Sequence, residues 1–251
     1  MMTRPRSHWI IGALLGASLG LLGWGTAPDV LRVGAFSEHD STEARPDGWE
    51  ALSLAKVDTR TEYDLVRADS TTVVRARSDG GASGLVTERR IDLAEYPVLE
   101  WRWKAENVLE DGNARTKDGD DYPARIYITF DYDDLGVGDR IRLTALRALG
   151  YDEVPTRALN YIWANQVERG TLLENPFTDW VTMVAVRSGS TDVGTWHTER
   201  RNVLEDYRTA FGEDPPPVNG VAIMTDTDNT GGTATAYYGD IVFRKDEDVS
   251  K

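Results

Sequence analysis

Apolar and polar positions alternate with a period of two along most of the chain. The segments 71–77 (TTVVRAR), 84–91 (GLVTERRI), 98–104 (VLEWRWK) and 124–131 (ARIYITFD) carry the pattern most plainly, and half-buried β-strands produce it. Further strand candidates are 158–164, 180–187, 195–203, 221–225 and 235–244. Turn residues separate them, as in Ser78-Asp79-Gly80-Gly81 and Thr230-Gly231-Gly232. Many short strands between turns predict an all-β fold, an antiparallel β-sandwich of jelly-roll type. Two segments break the alternation. Residues 139–149 (DRIRLTALRAL) set Ile141, Ala145, Ala148 and Leu149 near one helical face before Gly150. Residues 204–211 (LEDYRTAF) form a turn or two before Gly212, and Pro215-Pro216-Pro217 forbids any continuation. Both are predicted as short helical insertions in a β framework.

Strand parity sorts the side chains. In 98–104, Leu99, Trp101 and Trp103 point one way and Glu100, Arg102 and Lys104 the other. In 124–131, Ile126, Ile128 and Phe130 oppose Arg125, Tyr127, Thr129 and Asp131. The two strands are expected to share a dry face and a polar one. That polar face is either simply solvated or lines a concave ligand groove, to which Arg102, Arg125 and Tyr127 would bring area and several hydrogen-bonding groups.

The first 27 residues follow a different rule. Arg4 and Arg6 precede an uncharged run from Ile10 to Leu22, and Gly25, Thr26 and Ala27 are small. This is the layout of a secretory signal, too short for a comfortable transmembrane span. Pro28 stands where cleavage would leave it first, so an uncleaved N-terminal anchor is the alternative. The remainder, 28–251, is expected to be a single β-sandwich domain.

Composition narrows the chemistry. With 42 acidic against 28 basic residues the net charge is −14, which argues against nucleic-acid binding. Only five of the basic residues are Lys, as either salt adaptation or Arg-rich codon usage would leave them. There is no Cys, hence no disulfide, thiolate metal site or cysteine nucleophile. Beyond residue 27 only His39 and His197 remain, too few for a three-histidine zinc site. Gly16-Ala17-Ser18-Leu19-Gly20 spells a nucleophile elbow but lies inside the signal-like run.

Three clusters are left. Asp118-Gly119-Asp120-Asp121 sets three carboxylates just before a strand, where they form an acidic turn or hold a ligand or cation. Asp226-Thr227-Asp228-Asn229-Thr230-Gly231 alternates oxygen ligands as Ca²⁺ sites do, with Asp226 and Asp228 as the metal ligands. The twelfth position counted from Asp226 is Tyr237 rather than Glu, so it is no EF-hand, and Asx-turn chemistry accounts for the same residues. In 195–203, His197, Glu199 and Arg201 share a side, and Glu199 is either an ion-pair partner or an acid facing Asp120 or Asp226. Of the six Trp beyond residue 27, Trp101 and Trp103 are expected in the core, and Trp163 is the better platform for stacking a sugar ring.

Taken together, Ala82-Ser83-Gly84-Leu85, Trp101-Arg102-Trp103, 117–121 with Ala124-Arg125-Ile126-Tyr127, Tyr161-Ile162-Trp163-Ala164, Glu199-Arg200-Arg201-Asn202-Val203, Asp206-Tyr207-Arg208, 224–231 and Tyr238-Gly239-Asp240-Ile241 resemble a bacterial family known as domain of unknown function 3047. The resemblance runs from about Phe36 to Phe243. It implies an exported domain and brings no activity to carry over. The general look is similar to galactose-binding-like jelly rolls found as carbohydrate-binding modules, a likeness of fold only.

These observations lead to an expected non-catalytic binding module, periplasmic or secreted, with a polysaccharide or glycoconjugate ligand and no membrane insertion after signal cleavage. The expected ligand-binding residues are Arg102, Asp120, Asp121, Arg125, Tyr127, Trp163, Glu199, Arg201, Asp226, Asp228 and Asn229. Calcium is the one cofactor entertained. The alternatives are a carbohydrate-active enzyme using a pair among Asp120, Asp121, Glu199 and Asp226, and an envelope scaffold that binds another protein through an apolar patch.

Overall fold

The computed structural model describes residues 28–41, 45–54, 57–130 and 157–246. The signal-like run 1–27, Asp131 and the helix expected over 139–149 lie outside the described residues. Two sheets face each other. The first has the order β11 (His197–Asn202), β6 (Val98–Ala105), β13 (Thr233–Arg244), β4 (Thr71–Asp79), β3 (Glu62–Ala68), with β1 (Val30–Gly34) on the second half of β13. The second runs β2 (Glu50–Ser53), β5 (Ala82–Ile91), β12 (Val218–Asp226), β7 (Arg125–Phe130), β8 (Arg157–Ala164), β10 (Thr178–Ser188), β9 (Leu172–Asn175). Pairing is antiparallel throughout the described residues except between β8 and β10. There β9 lies on the outer edge of β10, so β10 runs parallel to β8 between the two. The fold is the expected all-β sandwich of jelly-roll type.

The interior lies between the sheets. Leu99, Trp101 and Trp103 of β6 meet Ile126, Ile128 and Phe130 of β7, and Leu159, Tyr161 and Trp163 of β8, in one buried cluster. The Trp101 ring lies 5.3 Å from that of Tyr161, and Trp103 lies 5.9 Å from Trp163, so aromatic pairs cross from sheet to sheet. Such rings each take about 150–250 Å² out of water and dominate the hydrophobic gain.

This places β6 and β7 on opposite sheets, and it corrects one expectation. Their dry sides do share the core. Their polar sides therefore face away from each other, with Arg102 on the outer surface of the first sheet and Arg125 and Tyr127 on that of the second. A single groove cannot contain all three.

The helix after β11, α1 (Val203–Phe211), follows its local signals. The Asn202 side chain accepts the Glu205 amide at 3.1 Å, and Glu205 and Asp206 occupy the positive first turn. Gly212 adopts φ 73° and its amide donates to the Arg208 carbonyl, closing the helix. Tyr207 seals that end of the core against Phe130, with ring centroids 4.5 Å apart. No described helix is long and apolar enough to cross a membrane.

Candidate ligand-binding face

The outer side of the second sheet is built in rows across the strands. One row runs Val86, Ala222, Tyr127, Asn160, Met183, Leu173. The next runs Gly84, Met224, Arg125, Ile162, Ala185. Ala114 and Tyr122, from the connection before β7, pack on Ile162, Ala164, Leu173, Met183 and Ala185 as a second, smaller apolar cluster. Part of this outer face is thereby buried, and Tyr127 and Thr129 are half-buried.

Arg125 opens β7 beneath that connection. Its Nη2 donates to Asp226 Oδ2 at 2.5 Å, and Nη1 stands 3.9 Å from Asp120 Oδ2. Its guanidinium carbon lies 5.1 Å from the Tyr122 ring and 5.3 Å from the Tyr127 ring. Asp120 accepts the Tyr122 hydroxyl at 2.8 Å and the Asn175 amide at 3.1 Å. Asn175 also accepts the Phe177 amide at 3.0 Å, tying the β9–β10 turn to the carboxylates. Phe177 is 51% exposed, with Lys117 Nζ 5.4 Å above its ring.

Asp121 is fully buried and organises the loop after β12. It accepts the Asn229 amide at 3.2 Å and the Thr230 amide and hydroxyl at 2.7 Å each. The two acidic runs of the sequence are thus one cluster, with carboxylate oxygens of Asp121, Asp226 and Asp228 within 4.8 Å of one another. An all-oxygen set suits a hard cation such as Ca²⁺. Asp121 joins the two ligands expected, although its oxygens already accept three hydrogen bonds and Asp226 is paired with Arg125.

The electrostatics follow from four carboxylates around one guanidinium. Burial pushes Asp226 well above the ordinary carboxylate range, against the pull of Arg125, and Asp121, Asp120 and Asp228 add to the rise. Burial also raises Asp120, opposed by Arg125, Tyr122 and Asn175. Asp228 is raised by burial and by Asp121. Burial works against the charge on Arg125, but Asp226, Tyr127 and Asp120 outweigh it, so it stays protonated. Tyr122 and Tyr127 are held as neutral hydroxyls by burial above all.

The remaining expected residues lie apart from this cluster. Trp163 is fully buried, beside Trp103 and His197, and its Nε1 donates to the Gly189 carbonyl at 3.1 Å, so it has no free face for a sugar. Trp163 shares its strand parity with the buried Tyr161, and both belong to the core rather than to a platform. Glu199 is buried at the edge of the first sheet, where it accepts Arg187 Nε at 2.6 Å and Trp103 Nε1 at 3.4 Å. It faces neither Asp120 nor Asp226. Arg201 grips Asp206 through Nε at 2.9 Å and Nη2 at 2.5 Å, and Asp206 also accepts the Tyr161 hydroxyl. Arg102 lies over the Trp196 ring at 4.2 Å.

Tyr122, Asn160, Asn175 and Phe177 were not singled out in the sequence. Asn160 carried a signal, as a lone polar residue inside ALNYIWA. Phe177 carried none, since a ring after Pro176 in a turn has no periodicity to mark it.

The sequence profile of the family described as "Protein of unknown function (DUF3047)" matches residues 47–242. No curated protein matches the chain significantly. Among solved structures, a family 30 carbohydrate-binding module of a cellulosomal cellulase from Clostridium thermocellum aligns with 86% of this chain and 99% of its own at 12% identity and TM-score 0.41. The K1 cleaved adhesin domain of Lys-gingipain from Porphyromonas gingivalis aligns with 86% of this chain and 98% of its own, at 12% identity and TM-score 0.39. A xyloglucanase domain of the effector NopAA from Sinorhizobium fredii, in complex with cellobiose, aligns with 80% of this chain and 99% of its own, at 9% identity and TM-score 0.41. At these scores the likeness transfers neither ligand nor activity.

Proposed function

The chain belongs to the DUF3047 family, and from that footing we propose that it is an exported, non-catalytic module that binds a polysaccharide or glycoconjugate at the Arg125 end of the second sheet's outer face. The observation that supports this most is the mixture at one place. Carboxylates, a guanidinium, carboxamides and tyrosine hydroxyls stand together there, beside an exposed Phe177. Vicinal hydroxyls both donate and accept, and an aromatic ring stacks on the apolar side of a sugar. Among the described residues the only exposed large apolar side chains are Leu172 and Phe177, too little for a protein-docking patch. Export rests on the charge and length pattern of residues 1–27.

The non-catalytic part rests on the engagement of the candidate carboxylates. Asp226 is paired with Arg125, Asp121 with the loop backbone, Asp120 with Tyr122 and Asn175, and Glu199 with Arg187 elsewhere. One feature favours the hydrolase alternative, namely that Asp120 and Asp226 flank the same guanidinium. Release of reducing ends from a bound glycan, lost in Asp120→Asn, would establish that alternative.

The deciding experiment is a thermal-shift screen of residues 29–251 against soluble glycans, each with Ca²⁺ and with chelator. A ligand at a hundred times its Kd adds about 2.7 kcal/mol, a rise of roughly 5–10 °C at this size. A rise with one glycan class, weakened about threefold to tenfold in Phe177→Ala, is the expected result. A rise with Ca²⁺ alone would assign Asp121, Asp226 and Asp228 to a cation. Flat melting curves under every condition would remove the glycan reading.

A further inference from the structure

Asn160 sits in the middle of β8, on the outer face of the second sheet between Tyr127 and Met183. It is 0% exposed, and neither its Nδ2 nor its Oδ1 has a hydrogen-bond partner. Buried carboxamides are almost always bonded, because an unpaired donor or acceptor forfeits its hydration. On that face β8 otherwise presents Ala158, Ile162 and Ala164, and packing alone would be served by another apolar residue.

Arg125 stands one row along on the neighbouring strand, a diagonal neighbour at about 7–8 Å by sheet geometry. Its Nε and Nη1 are also buried without an acceptor. Trp101 Nε1 is unbonded too, but its side chain belongs to the dry interior between the sheets. Trp196 Nε1 and Arg244 Nε, on the outer side of the first sheet, are unbonded donors as well. Among the described residues, unbonded donors and an unbonded acceptor come together only on the outer face of the second sheet, beside Tyr127, where the row reaches solvent.

Charge then selects among ligands. The single positive charge of Arg125 is opposed by Asp226 at 2.5 Å and Asp120 at 3.9 Å, with Asp121 and Asp228 close behind. The donors are unbonded, yet the surroundings are acidic. A carboxylate or sulfate would gain hydrogen bonds but would add a further negative charge to a cluster of four acidic side chains. A neutral hydroxyl gains the same bonds without that opposition, accepting from Arg125 or Asn160 Nδ2 and donating to Asn160 Oδ1.

We propose that Asn160, Arg125 and Tyr127 form a subsite for the hydroxyls of a neutral sugar, so that the ligand is a neutral rather than an acidic or sulfated glycan. This rests on the glycan-binding reading of the same face.

The test is affinity electrophoresis and calorimetry with matched probes. These are dextran against dextran sulfate, and a neutral β-glucan, galactomannan and arabinoxylan against alginate and polygalacturonate. Expected is binding to one or more neutral probes and none to the anionic ones. Asn160→Leu should lose at least tenfold in affinity without a fall in Tm, because it removes an unbonded buried amide while keeping the same branched side-chain skeleton. Should that variant fold poorly, Tyr127→Phe, at a half-buried position, is expected to lose threefold or more with its Tm unchanged. Preference for the anionic probes overturns the neutral-sugar subsite and leaves glycan binding intact, as does full affinity in both variants. Absence of binding to every probe overturns both.

Discussion

The two outer faces of this sandwich are made by the same alternation and end in opposite states. On the first sheet the outward residues are mostly charged and pair from strand to strand, with Arg244 Nε and Trp196 Nε1 the donors left unbonded among the described residues. Arg75 donates to Asp64 at 2.6 Å, Arg77 to Glu62 at 3.0 Å and Arg244 to Glu100 at 2.9 Å. Arg102 lies over Trp196, and Lys104 over Tyr237. On the second sheet the outward residues are mostly apolar or buried, and two polar ones, Arg125 and Asn160, keep unbonded atoms, including in Asn160 Oδ1 an unbonded acceptor that the first sheet does not have among the described residues. A solvated face completes its hydrogen bonds with neighbours and water at little cost. A covered one that leaves them incomplete forfeits hydration, and on that cost rests the proposal that the ligand is met at the second sheet.

The sharpest break of that contrast is Arg125→Ala. It leaves Asp226 buried beside other carboxylates without its counter-charge, and a loss of about 3–5 kcal/mol is expected in urea denaturation. Restoring volume without charge in the double variant Arg125→Met/Asp226→Leu should recover most of it, because the desolvation of both ions is then avoided.

A smaller change, Asp228→Asn, works in the other direction. The folded-state pKa values of Asp228 and Asp226 are raised by burial first and by their acidic neighbours. A carboxylate raised on folding holds its proton in the native state where the unfolded chain has lost it. Its contribution to stability is therefore present below the unfolded pKa, about 4, and is lost as pH rises through the folded value. Asp228→Asn should raise Tm at pH 7 by about 1–2 °C, and the gap from the unsubstituted chain should close near pH 4. An equal gap at both pH values would show that repulsion is not the cause.

Least of all should come from the first sheet. The Arg77–Glu62 side chains are 48% and 73% exposed, and Arg77→Ala is expected to cost at most about 0.5 kcal/mol. A cost near that of Arg125→Ala would erase the distinction between the faces.

Strand legibility divides along the same physical line. The strands read in advance include every one enclosed by two neighbours along its sheet, where core burial enforces clean alternation. The four not anticipated, β1, β2, β3 and β9, are all edge strands. Edges are short or charge-rich, as in EYDLVRA and LLEN, and half their backbone faces no partner. Trp163 shows the limit of parity, which sorts side chains into two sets without saying which set is wet. Asp120, Asp121, Asp226 and Asp228 show another, since each acidic run was visible while their union was not.

What the chain determined by itself was local. Period-two segments, the Asn202 cap and Gly212 stop of α1, the Trp101–Trp103 core face and the acid-rich turns all depend on residues a few positions apart, where covalent geometry and side-chain chemistry suffice. The tertiary structure decided which sheet each strand joined. With that it separated Arg102 from Arg125, buried Trp163, sent Glu199 to Arg187, and brought residues 120–125 to 226–230. Pairing partners more than a hundred residues apart are chosen by how the two sheets together close one core, and that choice is written in no single segment.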